Sequence, residues 1–263
     1  MENFIIIGPY HFVGLHLCST LLSKGFEIKG ISYPNFVVNQ LEEKEMVFGR
    51  NANFIDIKWE NRLKQIKEGE TIIVFDCYML DKLDDLIIAM QEFFKGARWK
   101  MPKKVVTICS VTMEEVQNKR CKKFFTDRKI PHQFVYLPTI YGPWQPGDFL
   151  FHQILLKETN KKLLPRQNEY TKDAIFVEDA VDEIIQQIQN SQNEEILLRS
   201  SVKNHWQKCM DELDYLVDYV EDCKSYFAEN KFTINVNDKN GIEDNLELQR
   251  KHIKMYINPF NIF

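Results

Sequence analysis

The residues best suited to chemistry begin at a glycine turn. Gly8-Pro9-Tyr10-His11-Phe12-Val13-Gly14 follows the apolar run Phe4–Ile7, and Val13, Leu17 and Leu21 then recur at helical spacing until Gly25. A second apolar stretch, Phe26 to Ile31, comes next. Strand, glycine turn, helix and strand form the dinucleotide-binding order, in which the first amides of the helix face a pyrophosphate. In that turn the first glycine permits the bend, the middle one lets backbone reach phosphate, and the last packs helix on strand. Gly8 and Gly14 keep the outer roles, and His11 takes the middle place. Its imidazole either hydrogen-bonds a phosphate or fills the space of a cofactor that no longer binds. Steric reasoning favours filling, because a side chain blocks the approach that glycine allows.

Other polar residues lie where strands should end. Asp76 and Tyr78 follow the apolar run Thr71–Phe75. Asp76 is either a ligand-binding acid or the cap of a helix starting at Asp81. Ser32 and Tyr33 follow Ile31, before Pro34. No acid stands there to hold ribose hydroxyls, and no Arg or Lys follows immediately to hold a 2′-phosphate. Tyr33 either stacks on an adenine or is a surface aromatic. The histidines are scattered, and His11 and His16 have the wrong helical spacing for one metal face. The six cysteines, Cys18, Cys77, Cys109, Cys121, Cys209 and Cys223, show no CxxC pairing and read as free thiols in a reducing compartment. Lys119, Arg120, Lys122 and Lys123 form a basic run that reads as a solvated helix face.

The elements that must position these residues alternate. Strands are expected at Phe4–Ile7, Glu27–Ile31, Asn53–Ile57, Thr71–Phe75, Lys104–Cys109 and Gln133–Leu137, with helices near 13–24, 60–67, 81–95 and 112–127. Such alternation predicts an α/β fold, a Rossmann-like doubly wound parallel sheet with right-handed crossovers. After Pro138 a Gly/Pro-rich turn leads to a helix from Asp148. Further helices are expected at 177–188 and 204–228 and after Gly241, with loops at 190–203 and 229–240. The division expected is a Rossmann-like dinucleotide-binding-type domain over 1–140. A smaller, mainly helical substrate-type lobe over 141–263 packs on it, partly interleaved with the sheet.

The 263 residues carry a net charge of −4 and are 44% hydrophobic, which suits a globular chain rather than a nucleic-acid binder. No apolar run has the roughly 20 residues needed to span a bilayer. The N-terminus runs straight into a core strand with no signal peptide, so a cytoplasmic protein is expected.

Several segments together resemble the extended short-chain dehydrogenase/reductase family, in particular its NAD-dependent epimerase/dehydratase branch. They are the glycine turn, Asn53 to Ile57, Leu137-Pro138-Thr139-Ile140-Tyr141-Gly142-Pro143, Asp173 to Val181, and Gly241 to Leu246. They occur in the family's order over nearly the whole chain. The resemblance implies NAD or NADP as cofactor, held by Gly8, His11, Phe12, Gly14, Ser32, Asp56 and Ile57, with Asp56 at the adenine. It implies a small-molecule or nucleotide-sugar ligand in a cleft with Asp76, Tyr78, Tyr141 and Trp144. It also allows a homodimer.

The family's chemistry needs a tyrosine phenolate, its pKa lowered by a lysine one helical turn later, while nicotinamide moves hydride. Between Tyr78 and Tyr136 this chain has no tyrosine. Ser110 matches the family's catalytic serine or threonine. Without its partners it reads as a helix N-cap, with Thr112 the alternative cap and Glu115 its box partner. Tyr141, Tyr136 and Tyr78 are the residues left to move a proton. The expectation is therefore a degenerate, catalytically inactive member with a ligand-binding or regulatory role. The alternatives are an active NAD(P)-dependent nucleotide-sugar epimerase, dehydratase or reductase with displaced catalytic residues, and a structural interaction subunit.

Overall fold

The computed structural model describes residues 3–34, 38–79, 83–96, 100–156, 163–166, 169–191, 193–215 and 232–257. The strands are β1 (Asn3–Ile7), β2 (Ile28–Ile31), β3 (Phe54–Asp56), β4 (Thr71–Asp76), β5 (Lys104–Ser110), β6 (His132–Leu137), β7 (Thr139–Tyr141), β8 (Ala174–Phe176), β9 (Glu195–Ser200) and β10 (Phe232–Val236). The helices are α1 (Phe12–Ser23), α2 (Leu41–Phe48), α3 (Leu83–Phe93), α4 (Glu115–Asp127), α5 (Leu150–Leu156), α6 (Val177–Asn190), α7 (His205–Glu212) and α8 (Ile242–Ile257). Among the described residues, eight strands make one sheet in the order β10-β9-β6-β5-β4-β1-β2-β3, and β7 and β8 form a separate pair. All pairings are parallel. Parallel sheets bury both faces, and the interior strands are accordingly apolar. Ile5, Ile7, Ile73 and Phe75 pack in one layer, and Phe4, Ile6, Ile72 and Val74 in the other.

The first strand lies between β2 and β4, inside the sheet as the resemblance implies. α1 runs from it with Val13, Leu17 and Leu21 fully buried. Gly8 has φ +86°, and a Cβ on Gly14 would come within 2.1 Å of the Gly8 carbonyl oxygen. Both positions demand glycine for backbone reasons alone.

Several expectations are corrected. The stretches 190–203 and 229–240, read as loops, contain β9 and β10, which extend the main sheet past β6. Both are interrupted by polar residues, Glu195, Arg199 and Ser200 in β9 and Thr233 and Asn235 in β10, which hid them. The helix near 60–67 is a 3-10 helix over Trp59–Gln65. α2, β7 and β8 were not expected at all. The expected helix over 204–228 is α7 up to Glu212, and its part beyond Tyr215 lies outside the described residues. Neither Ser110 nor Thr112 caps α4, whose N-cap position is Glu114. Instead Ser110 Oγ lies 2.7 Å from Thr112 Oγ1 and accepts the Thr112 N–H at 3.2 Å, closing a local turn after β5.

The second half of the chain is tied back by specific bonds. α6 buries Val177, Ala180, Val181, Ile184, Ile185 and Ile188. Its first-turn acids Glu178 and Asp179 sit at the positive end of the helix, and Asp179 also pairs with Lys239 at 3.4 Å. His205 bridges two elements: Tyr141 Oη lies 3.1 Å from its Nε2 and Ser200 Oγ 2.6 Å from its Nδ1. Cys18, Cys77, Cys109, Cys121 and Cys209 are buried free thiols, and Cys223 lies outside the described residues. Among the described residues no helix is long and apolar enough to cross a membrane.

Candidate functional site

The carboxyl ends of β1, β2 and β4 meet beneath the glycine turn, where a doubly wound sheet places its ligand. His11 occupies the N-cap position of α1 without capping it through its side chain. Its ring stands against Gly8, 3.0 Å from where a Cβ would be, and stacks on Tyr33 with centroids 5.2 Å apart. Tyr33 is buried, so it is neither a surface aromatic nor an open platform for a base. Its hydroxyl reaches Cys77 Sγ at 3.4 Å and the Asp76 carbonyl at 3.5 Å. Burial, with the nearby charge of Lys44 adding to it, lowers the His11 pKa to about 4. At neutral pH the imidazole is therefore uncharged.

Asp76 is fully buried at the end of β4. Its Oδ2 accepts the Gly14 N–H at 2.6 Å, and Oδ1 accepts the Tyr78 N–H at 3.1 Å. A further bond from the Val13 amide also favours the ionised form. The carboxylate thus caps α1 from a neighbouring strand. The helix after β4 starts at Leu83, and residues 80–82 lie outside the described set. Burial raises the Asp76 pKa to about 6, and the amide bonds and Lys44 pull it back down.

The candidate tyrosines are held in structural bonds. Tyr78 donates to the Pro138 carbonyl at 3.0 Å and accepts the Ile140 N–H at 2.8 Å. Tyr136 donates to Asn118 Oδ1 at 2.5 Å and lies 3.2 Å from Glu195 Oε1. Tyr141 is fully buried against His205. Burial raises the pKa of all three. Each therefore keeps its proton at neutral pH, the opposite of what a phenolate base needs.

Beside the turn a cleft of about 580 Å³ opens, within the range of small-molecule sites. Tyr10, His11 and Phe12 line one side, Val38 to Gln40 with Lys44 another, and Met79, Trp144 to Asp148 and His152 the rest. Of the residues singled out in the sequence, the cleft gathers His11, Phe12 and Trp144. Gly8 and Gly14 are packed inside the turn, and Tyr78 and Tyr141 in the core. Ser32 and Asp56 are exposed, Asp56 at the sheet edge and Ile57 just beyond it. Ser110 sits at the far side of β4, on β5.

Lys44 was missed by the sequence reading. It lies among Glu42, Glu43 and Glu45, in a stretch where no element was expected, yet it is only 8% exposed. Burial lowers its pKa from 10.5 to about 8, against the pull of Asp76.

No family model and no curated protein matches the chain. Solved structures do. A Bacillus cereus UDP-glucuronic acid 4-epimerase in complex with UDP-glucuronic acid and NAD aligns over 97% of this chain and 99% of its own, with 16% identity and a TM-score of 0.72. A dTDP-glucose 4,6-dehydratase from Bacillus anthracis in complex with NAD covers 97% of each chain at 12% identity and TM-score 0.68. A Thermotoga maritima UDP-glucose 4-epimerase with UDP-glucose covers 97% of this chain and 100% of its own at 13% identity and TM-score 0.60. The eight-stranded parallel sheet, the glycine turn leading into α1 and these alignments agree: the chain has the fold of the extended short-chain dehydrogenase/reductase epimerases and dehydratases.

Proposed function

We propose that the chain is a non-catalytic protein on the epimerase/dehydratase fold, which binds a small ligand beside a dinucleotide groove closed by its own side chains. The observation that carries this is the Asp76 carboxylate on the Gly14 amide. Helix-N-terminal amides are what a pyrophosphate would use, and an internal anion already uses them. A pyrophosphate there would face that carboxylate across a buried site, where like charges repel strongly. The His11–Tyr33 stack stands over Gly8, in the path of backbone approach. These residues do not fit a dinucleotide. The loss of proton transfer has separate support, since Tyr78, Tyr136 and Tyr141 are each committed to internal bonds.

The ligand class is proposed from the neighbours. Two of the similar structures hold nucleotide sugars, and this chain keeps an open cleft on the same fold. Isothermal titration with NAD, NADH, NADP and NADPH tests the reading. Binding no tighter than about millimolar, worth roughly 4 kcal/mol, is expected. Micromolar binding, or nicotinamide turnover on any nucleotide sugar, would overturn it.

A further inference from the structure

Lys44 is a buried amine with no hydrogen-bond or ion-pair partner among the described residues. Its 8% exposure opens onto the 580 Å³ cleft. An unpaired buried ammonium is costly and therefore rare. A fold retains one where something else supplies the counter-charge.

Among the described residues, no acid near Lys44 has an oxygen engaged with its Nζ. Asp76 is the acid whose charge reaches Lys44, but its two oxygens are occupied by the Gly14 and Tyr78 amides. Asp148 lines the cleft and pairs with Arg166 at 3.3 Å. The histidines that feel the charge of Lys44, namely His11, His16 and His252, are pushed down to about 4 and carry no charge at neutral pH. The Gln145 amide is committed at both ends, to the Ile140 carbonyl and to Gln249. The rest of the wall mixes Tyr10, Phe12 and Trp144 with Val38, Met79, Pro146 and the uncharged side chains of Asn39 and Gln40, and of the three aromatics only Trp144 is part-exposed.

We propose that Lys44 anchors the single anionic group of an aromatic small molecule, a phosphate monoester or a carboxylate, whose ring lies against the part-exposed Trp144. The inference deepens the non-catalytic reading above and rests on it for the closure of the dinucleotide path. One ammonium suits one anionic group, because Asp76 and Asp148 are already engaged by the Gly14 and Tyr78 amides and by Arg166.

Titration with four probes separates the parts. AMP carries both ring and phosphate, adenosine lacks the anion, inorganic phosphate lacks the ring, and 1-naphthoate replaces phosphate by carboxylate. AMP or naphthoate should bind at least about tenfold more tightly than adenosine and phosphate. Lys44→Met should reduce the anionic ligand to the level of adenosine, and Lys44→Arg should keep part of the preference. Circular dichroism melting establishes that both variants are folded. As a second readout, the bound anion should protect Lys44 from acetylation, followed by peptide mass spectrometry. Equal binding of AMP and adenosine with no binding of naphthoate, anion binding unchanged in Lys44→Met, or no binding of any probe at millimolar concentration would each overturn the assignment. Micromolar NAD binding would instead remove the non-catalytic reading, while the AMP–adenosine comparison still decides Lys44.

Discussion

Asp76 Oδ2 accepts the backbone N–H of Gly14 at 2.6 Å, joining the end of β4 to the first turn of α1. Removing that acceptor strands buried amides at the helix start. Asp76→Ala should cost about 2–3 kcal/mol in urea denaturation at pH 7, because buried N–H groups without acceptors bear most of their desolvation penalty. Asp76→Asn keeps an acceptor oxygen and should cost less.

The same residue sets a pH signature. Its folded pKa of about 6 lies above its ordinary 3.8. Between these values the unfolded chain has released the proton and the folded one has not, so the stability Asp76 contributes falls as pH rises through this window. The difference between wild type and Asp76→Asn should therefore shift against the wild type by about 3 kcal/mol from pH 3.5 to 7. A gap independent of pH would mean that Asp76 titrates normally.

Lys44 gives the opposite kind of test. Its folded pKa of about 8 lies below the ordinary 10.5. The folded protein bears the full cost of the buried charge below pH 8 and sheds it as pH rises toward 10.5. Lys44→Met should thus be more stable than wild type at pH 7, by up to about 3 kcal/mol. That advantage should fade above pH 9. Thermal melts across this range measure it.

His16 Nε2 lies 2.8 Å from the Pro143 carbonyl, which it reaches across the molecule as an N–H donor. Burial lowers its pKa to about 4 from 6.5. As pH falls through 6.5 to 4 the unfolded chain takes up a proton that the folded one refuses, and stability is lost. His16→Gln should remove up to about 3 kcal/mol of that acid sensitivity. Denaturation midpoints at pH 7 and pH 4 give the comparison.

Tyr78→Phe should cost about 1–3 kcal/mol, since it leaves the Ile140 amide and the Pro138 carbonyl without their partner. Nicotinamide absorbance assays should show no turnover before or after the change. Wild-type turnover abolished in Tyr78→Phe or Tyr141→Phe would instead mark a displaced proton-transfer group.

The sheet was legible because its inner strands are short apolar runs between turn signals. Phe4–Ile7, Thr71–Phe75 and Lys104–Cys109 each have both faces buried, and burial dictates that composition. Strand β10 was not legible because Phe232, Thr233 and Asn235 are exposed and the segment lacks the continuous apolar run that marks an inner strand. The site was legible only in part. His11 announces itself by replacing a glycine, but the partner of Gly14 lies 62 residues away, and no local pattern connects them. Lys44 fails for a related reason: no element was expected over Leu41–Phe48, and a lysine among glutamates carries no local sign that tertiary packing turns it inward.

The order β10-β9-β6 has a consequence for synthesis on the ribosome. Among the described residues, the outer edge of β6 pairs only with β9, through Phe134, Val135 and Tyr136 against Glu195, Ile196 and Leu197. A nascent chain that has emerged only through α6 therefore presents a bare, apolar strand edge to other nascent chains. Translation stalled in that interval should yield aggregation rather than a shorter folded protein.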